Sequence, residues 1–296
     1  MSTMKRIEIL KTYKIYIGGQ FPRTESGRYY TVKNSEGKGL ANICLCSRKD
    51  VRNAVVAARK AQGVWAEKSA FNRGQILYRI AEILEGRKVQ FVEELILQGQ
   101  SKKIAQSEVD LSIERLVYYA GWCDKYNQIL STVNPVSSSH FNFSNCEPMG
   151  VVGLIADQKS PFLGLISALA PVIAGGNTAV VLASVDYPLC AVTFTEVIHA
   201  SDVPGGVVNV LTGSLTETAS ALASHMDVNA FVTSNLGKEL NIPLQLSAVT
   251  NLKRFYEYSE DWNNSTAQGL HFINDFQEIK TTWHPIEQIG GATSSY

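Results

Sequence analysis

Absent from this chain are the features that would send it to an oxidising compartment, a membrane or a nucleic acid. Its five cysteines (Cys44, Cys46, Cys123, Cys146 and Cys190) are an odd number, none at CxxC spacing and none near a histidine at zinc-ligand spacing. Neither a disulfide scaffold nor a metal site is indicated, and buried free thiols are the expectation. No sign of charge dominates: 27 Lys plus Arg balance 27 Asp plus Glu, so no net field draws the chain to a polyanion or an anionic membrane. Long hydrophobic runs are lacking too. The longest, Phe162 to Ala174, is interrupted by Ser167 and Pro171, and its roughly 13 residues fall short of the about 20 that span a bilayer. A buried helix is expected there. Met1 to Leu10 alternates basic and apolar residues without the unbroken apolar core of a secretory signal, which points to the cytosol. Lys5-Arg6 and Arg48-Lys49-Asp50 are short mixed runs, read as solvated faces.

What is present suits a soluble globular protein: 296 residues, 45% hydrophobic and 18% charged, enough for one large or two small domains around a sizeable core. Tyr13 to Ile17, Gly18-Gly19 and Gln20-Phe21 read as a short hairpin, and Tyr29 to Val32 continues the strand pattern. At Ser47-Arg48-Lys49-Asp50 a capping box opens a helix whose Val51, Val55, Ala58 and Ala61 fall on one face, with Trp65 closing it. Further helices are predicted from Asn72 through Leu84, from Val92 to Leu97, and from Glu108 to about Tyr126. Trp65, Tyr118, Tyr119 and Trp122 lie on helical faces and are read as core. His199, His225 and His271 have no paired acid or cysteine in sequence that would make a triad.

From Gly150 the pattern changes to alternating strands and helices. Val151 to Ile155, Ala179 to Leu182, Val207 to Leu211 and Asn229 to Val232 are short apolar runs. Between them helices are predicted from Pro161 to Gly175-Gly176, from near Asp186 and from near Ser214. This predicts an α/β fold with an open, doubly wound parallel sheet, whose ligands bind beyond the carboxyl ends of the strands. The loops after Ile155, Leu182, Leu211 and Val232 are therefore where a site belongs.

The segments IYIGGQF, SGRYYTVKN, DVRNAVVAARKAQGVW, YYAGWCDK, PMGVVGLIA, AGGNTAVVL, DVPGGVVNVLTG, ASHMDV and NLKR occur in order between Ile15 and Arg254. In order and spacing they resemble the aldehyde dehydrogenase superfamily, and in plan the chain is most similar to the truncated, degenerate second module of the tandem family-16 members. The resemblance implies the Rossmann-type NAD-binding domain and a small oligomerisation arm of strands, with the catalytic domain missing. Its boundaries divide the chain into 1–130, an N-terminal β-hairpin and helices of the NAD-binding domain; 131–148, a first arm segment; 149–262, the Rossmann-type βαβ region; and 263–296, a remnant linker and a C-terminal arm strand. His140 to Asn145 and His271 to Trp283 stand where the family's arm strands would be, a plain edge hairpin being the bland alternative. The junction between Trp262 and His271 reads as an evolved deletion, because arm sequence resumes after it.

Aldehyde oxidation by this family needs a thiolate nucleophile, oxyanion donors, a carboxylate base and a nicotinamide. The oxyanion asparagine lies in a Pro-Trp-Asn-Phe-Pro loop that reads Asp157-Gln158-Lys159-Ser160-Pro161 here, with Lys159 at the asparagine position. A lysine is flexible and strongly hydrated, and loses the fixed donor geometry. The base glutamate of a Glu-Leu-Gly-Gly motif falls on Tyr258; Glu257 and Glu260 are near, but a one-residue shift on a strand points to the opposite face. No cysteine follows Cys190, and the family's nucleophile would. No catalytic residue is therefore assigned.

Cofactor contacts are eroded as well. The family's Lys-Pro-Ser-Glu becomes Ala183-Ser184-Val185-Asp186, keeping an acid at Asp186 and losing the lysine. Leu215 and Ala219 stand at two expected glycines, with Gly213 kept, and Thr233 replaces the glycine before Ser234. Ile155, Ala156, Asp186, Gly213 and Ser234 are the candidate contacts for NAD or NADP, whose binding is expected to be weak, so that no resident cofactor is expected. The reading is an aldehyde dehydrogenase-like pseudoenzyme acting as an assembly or scaffolding unit, a homodimer or a partner of a full-length aldehyde dehydrogenase through the strand arm, with no membrane or nucleic acid involved. Two alternatives stay open: an oxidoreductase component completed by a partner chain or module, and a nucleotide-sensing domain that shifts its melting point with NAD, NADH or ADP-ribose through Asp186.

Overall fold

A computed structural model describes residues 9–34 and 36–286. Lys5-Arg6 and the end of the 263–296 segment, from residue 287, lie outside the described residues. Thr12–Tyr13 (β1), Tyr29–Lys33 (β2) and Gly39–Cys44 (β3) form a small sheet in the order β1-β3-β2. The hairpin expected at Tyr13 to Phe21 is only a tight turn. Ile17 and Gln20 exchange both backbone hydrogen bonds at 3.0 Å around Gly18 and Gly19, at φ 61° and 80°. Flanking residues pair elsewhere, Tyr13 with Ile43 and Tyr16 with Val210. Only glycine fits the tip, since a Cβ on Gly19 would lie 2.9 Å from the Gly205 Cα.

Five helices follow: Arg48–Ala66 (α1), Ala70–Gly86 (α2), Lys88–Leu97 (α3), Lys102–Trp122 (α4) and Tyr126–Leu130 (α5). The expected cap is present at α1, where the Ser47 backbone N–H donates to the Asp50 carboxylate at 2.7 Å. The apolar stripe of α1 is buried down to Trp65, whose indole N–H donates to the Ile173 carbonyl at 3.0 Å. Helices α3 and α4 begin earlier than apolar periodicity indicates. Each opens on lysine, ahead of its regular apolar stripe, and at α4 the Ser101 hydroxyl accepts from the Ile104 N–H at 3.3 Å. Helix α4 also stops at Trp122, short of Tyr126, and α5 is a separate turn. Tyr119 is buried, while Tyr118 and Trp122 are half-buried on the same helix.

After Thr132–Asn134 (β4) and His140–Pro148 (β5) come the alternating units: Val151–Ile155 (β6), Leu163–Ala174 (α6), Thr178–Leu182 (β7), Leu189–His199 (α7), Val208–Leu211 (β8), Leu215–Ala223 (α8), Ala230–Ser234 (β9), Lys238–Val249 (α9) and Arg254–Tyr258 (β10). The five strands β6 to β10 are all parallel, in the order β10-β9-β6-β7-β8. This is a Rossmann-type doubly wound sheet. Every residue of β6, β7, β8 and β9 is buried, as expected for parallel strands covered on both faces. The order reverses at β6, which has β7 on one side and β9 on the other, and a crevice opens beyond the carboxyl ends of such a pair. Helix α6 starts at Leu163 rather than Pro161, because the Glu108 carboxylate of α4 caps it, accepting from the Phe162 and Leu163 N–H groups at 2.9 and 3.1 Å.

The chain then forms Leu270–Asn274 (α10) and Gln277–Pro285 (β11). Strand β11 pairs antiparallel with β5 along its whole length, from Gln277 opposite Pro148 to Pro285 opposite His140, and β4 lines the other side of β5. The run expected as one strand from His271 begins as a helical turn instead. Phe272, Ile273 and Phe276 are all buried, at a spacing that fits a helix face and not the alternation of a strand. They pack against α6. No described helix is long and apolar enough to cross a membrane.

Candidate functional site

The four loops singled out by the strand pattern converge at the carboxyl end of the sheet. After β6, the Asp157 carboxylate is 2% exposed and makes four hydrogen bonds. One oxygen accepts from the backbone N–H groups of Lys159 and Ser160, at 2.7 and 3.1 Å. The other accepts from the Trp262 indole N–H at 3.0 Å and from the Asn235 amide, which stands after β9 at φ 49°. Asn235 reaches onward, its amide donating to the Glu260 carbonyl at 2.9 Å and its N–H to the Tyr258 carbonyl at 2.8 Å. Trp262 is 1% exposed and fills the space in front of α6, where a Cβ on Gly164 would come within 3.1 Å of the indole. The carbonyl of Trp262 accepts from the buried Arg115 guanidinium at 3.0 Å, and the same guanidinium donates to the Ala267 carbonyl.

Lys159 is exposed, and its ammonium makes no hydrogen bond or ion pair with the described residues. It borders an open cleft of about 520 Å³ with Asn235, Glu260 and Asp261. Tyr258 is buried on the opposite side from the exposed Glu257, as strand alternation requires. Its hydroxyl donates to the Asp275 carboxylate at 2.8 Å, and its ring meets Phe272 edge-on with centroids 4.8 Å apart. Burial raises the Tyr258 hydroxyl well above its ordinary range, and the Asp275 charge adds to the effect. Burial raises the Asp275 carboxyl too.

All five cysteines are free and buried. Burial raises the thiols of Cys46, Cys146 and Cys190, and that of Cys123 to about 12. Cys190 donates to the Phe91 carbonyl from the first turn of α7, where complete burial, with the Glu94 and Glu108 carboxylates nearby, outweighs any help a helix N-terminus would give a thiolate.

On the cofactor side, Asp186 is exposed, with its carboxylate open to solvent and its carbonyl accepting from Gln98 at 3.2 Å. Ile155 and Ala156 are fully buried. Ile155 still forms the floor of an apolar slot of about 220 Å³ between α8 and α9. Gly213 sits at φ 127°, where a Cβ would lie 2.9 Å from the Cys46 nitrogen, so the glycine is required by the Leu45-Cys46 segment after β3 whatever the ligand. Ser234 is fully buried, and its hydroxyl has no partner. The slot joins a second cavity of about 430 Å³ that reaches Tyr30, Gln158 and Asp186. Among the described residues no group of three or more His, Cys, Asp and Glu side chains is placed to hold a metal.

Sequence reasoning passed over Asp157, Asn235, Arg115 and Trp262. A signal existed for the first: Asp157 followed two and three residues on by the N–H groups it accepts is the Asx-turn pattern. A tryptophan in the polar run Glu260 to Thr266 was a second hint.

A five-stranded parallel sheet with its order reversing at β6 and a crevice at the carboxyl ends defines a dinucleotide-binding class of domain. The aldehyde dehydrogenase family profile matches residues 21–236, and the chain belongs to that family. Among its relatives, the putative aldehyde dehydrogenase DhaS of Bacillus subtilis is 32% identical over 263 residues, spanning 86% of this chain and 52% of DhaS. Omega-crystallin of Enteroctopus dofleini is 32% identical over 251 residues, 83% of this chain and 50% of that protein. The cytosolic 10-formyltetrahydrofolate dehydrogenase of Mus musculus is 29% identical over 260 residues, 85% of this chain and 28% of the relative. In structure, the NAD+ complex of an aldehyde dehydrogenase from Bacillus cereus superposes with a TM-score of 0.79 at 25% identity, over 83% of this chain and 50% of the other. The chain thus spans about half the length of DhaS, omega-crystallin and the Bacillus cereus enzyme, consistent with a missing catalytic domain.

Proposed function

We propose that this chain is a non-catalytic member of the aldehyde dehydrogenase family that works as an assembly or scaffolding module, on the plan of a degenerate second module of the tandem family-16 type. One observation carries the reading: none of the positions that would perform carbonyl chemistry holds a group placed to perform it. Tyr258 is tied to Asp275, Lys159 stands free on the surface, and the mouth of the sheet is filled by Trp262 bonded to Asp157. A thiol nucleophile needs a depressed pKa and access, and the four perturbed thiols here are shifted the other way by burial. The packed segment from Tyr258 to Phe276 supports an evolved shortening, since its buried side chains seal α6. Association runs through the β4-β5-β11 sheet, which carries the exposed apolar side chains Val133, Phe141, Ile279 and Trp283, and joins a second copy or a full-length relative in the cytosol. Turnover of an aldehyde panel with NAD or NADP by purified protein free of other dehydrogenases tests the reading. Sustained turnover ends it.

A second reading, an oxidoreductase component completed by a partner chain or module, is favoured by the half-length match to relatives. It requires co-purification with an aldehyde dehydrogenase bearing an intact cysteine, and dehydrogenase activity that rises when the two are mixed.

A further inference from the structure

We infer that the outer edge of β11 pairs antiparallel with β11 of a second copy of this chain, about a two-fold axis at Thr281, so that two three-stranded sheets become one continuous sheet. The inference rests on the proposed association through the β4-β5-β11 sheet, and names its partner and its register.

Strand β11 is the last in the order β11-β5-β4, so among the described residues no strand ladders to its outer edge. The direction of its bonding is fixed at both ends. The Ile286 N–H donates to the Ser139 carbonyl at 3.0 Å, and the Met149 N–H donates to the Phe276 carbonyl at 3.3 Å. Bonded and unbonded pairs alternate along an antiparallel ladder, so the even-numbered residues of β11 bond to β5. Ile279, Thr281 and Trp283 therefore turn their backbone N–H and C=O groups to the free edge. A row of nine residues with such an edge is a template for another strand unless a charge or a covering element blocks it. Lys280, at mid-strand, is drawn back onto β5 by Glu147 at 2.9 Å.

The strand's own sequence selects a second copy. Thr281 is the middle residue of Gln277–Pro285, so a two-fold axis there overlaps the two strands completely. It sets Ile279, 56% exposed, against Trp283 of the second copy, 57% exposed, and does so twice. Aromatic and β-branched residues directly opposed across strands stabilise a sheet. On the other face Glu278, paired with Arg254 at 2.8 Å, meets His284 of the second copy, and Lys280 meets Thr282. No like charges are opposed. At the ends Gln277 meets Pro285: the Gln277 carbonyl already accepts from the Arg254 guanidinium at 2.7 Å, and proline has no N–H to offer it. Moving the axis by one residue loses the match. An axis at Lys280 sets two ammonium groups opposite each other, and one at Thr282 sets Lys280 against His284. A single strand edge buries less than the roughly 1,200–2,000 Å² of a standard interface, so a weak dimer is expected, with a dissociation constant of about 1–100 µM.

Sedimentation equilibrium of the purified chain across that concentration range is the test, and a monomer–dimer equilibrium is expected. Thr281→Pro removes an N–H that faces outward, which an edge strand tolerates, and is expected to weaken the dimer by about tenfold or more. Ile279→Glu, at an exposed position, is expected to do the same. Register is read by cross-linking, because all five native thiols are buried. Thr281→Cys places two sulfurs on a pair whose Cα atoms lie about 5.5 Å apart, within disulfide reach, and should give a covalent dimer with oxidised glutathione. Ile279→Cys sets them about 13 Å apart along the strands and should not. A chain that stays monomeric throughout overturns the inference. So does a dimer unchanged in both Thr281→Pro and Ile279→Glu, or one that Ile279→Cys cross-links as readily as Thr281→Cys. Either of these last two results leaves the faces of the sheet to carry assembly, and aldehyde turnover is the separate test of that reading.

Discussion

The indole N–H of Trp262 donates to the carboxylate of Asp157 at 3.0 Å, joining two residues 105 positions apart in sequence. One stands at the end of the central strand β6, the other in the segment that leads from β10 to α10. Together they close the carboxyl end of the sheet with a side chain that is 1% exposed. Trp262→Ala removes that ring and leaves a cavity, so a loss of about 3–5 kcal/mol is expected from urea unfolding. Trp262→Phe keeps most of the volume but takes one donor from a buried carboxylate, and should cost about 1–3 kcal/mol. An alanine variant no less stable than the phenylalanine variant would show that the ring is not packed.

Arg115 holds the same segment from the other side. Its guanidinium donates to the backbone carbonyls of Trp262 and Ala267 from a position 3% exposed. Arg115→Met keeps the stem and leaves both carbonyls without a partner, at a cost of about 2–4 kcal/mol. Because those bonds pin a loop, limited proteolysis should cut between residues 259 and 269 faster in the variant. Equal cutting rates would mean that packing alone fixes the loop.

Much of this architecture is legible in the sequence, and the division between what is and what is not has a physical basis. Helix α1 and the strands β6 to β9 announce themselves through local signals: a cap at Ser47, an apolar stripe, and short apolar runs. The opposite facing of Glu257 and Tyr258 follows from alternation alone. The turn at Gly18-Gly19 is legible as a turn but not in its pairing, because Tyr16 bonds to Val210, nearly the whole domain away. The helical start at Leu270 is hidden in a run that resembles a strand, and tertiary burial of Phe272 and Phe276 decides it. Of the Asp157 network only the local turn onto Lys159 and Ser160 has a sequence signal, because its other donors come from two distant loops.

Lys253, just before β10, is nine-tenths buried, with the Asn251 side-chain oxygen as its hydrogen-bond acceptor. Burial lowers its pKa to about 8 from the ordinary 10.5. Between those values the unfolded chain holds a proton that the folded chain has released, so stability rises with pH across the window. Below the folded value the burial penalty is fully present. Lys253→Met abolishes it, so the variant should exceed the parent in melting temperature at pH 7, with the gap closing from about pH 8 to about pH 10.5. A gap that does not change with pH would place the amine in solvent.

Restoring the family's carboxylate at Tyr258 tests whether this site is an eroded active centre or a rebuilt core. Tyr258 donates its hydroxyl to Asp275 from a position 7% exposed, so Tyr258→Glu sets a second carboxylate against the first in a buried setting. Two such groups cannot both ionise cheaply, and an uncompensated buried charge costs about 3–5 kcal/mol. The variant should therefore be strongly destabilised at pH 7 and recover as pH falls towards 5. Protonation of the raised acid removes the repulsion, and stability lost as pH rises through its folded pKa is regained on the way down. Tyr258→Phe, which loses only the hydrogen bond, should cost about 1–2 kcal/mol with little pH dependence. Combined with Lys159→Asn, the glutamate variant should still give no aldehyde turnover, because no accessible thiol faces it among the described residues. A Tyr258→Glu protein as stable as the parent at pH 7 would mean that the pocket still accepts a charged base, and with it a catalytic past only lightly overwritten.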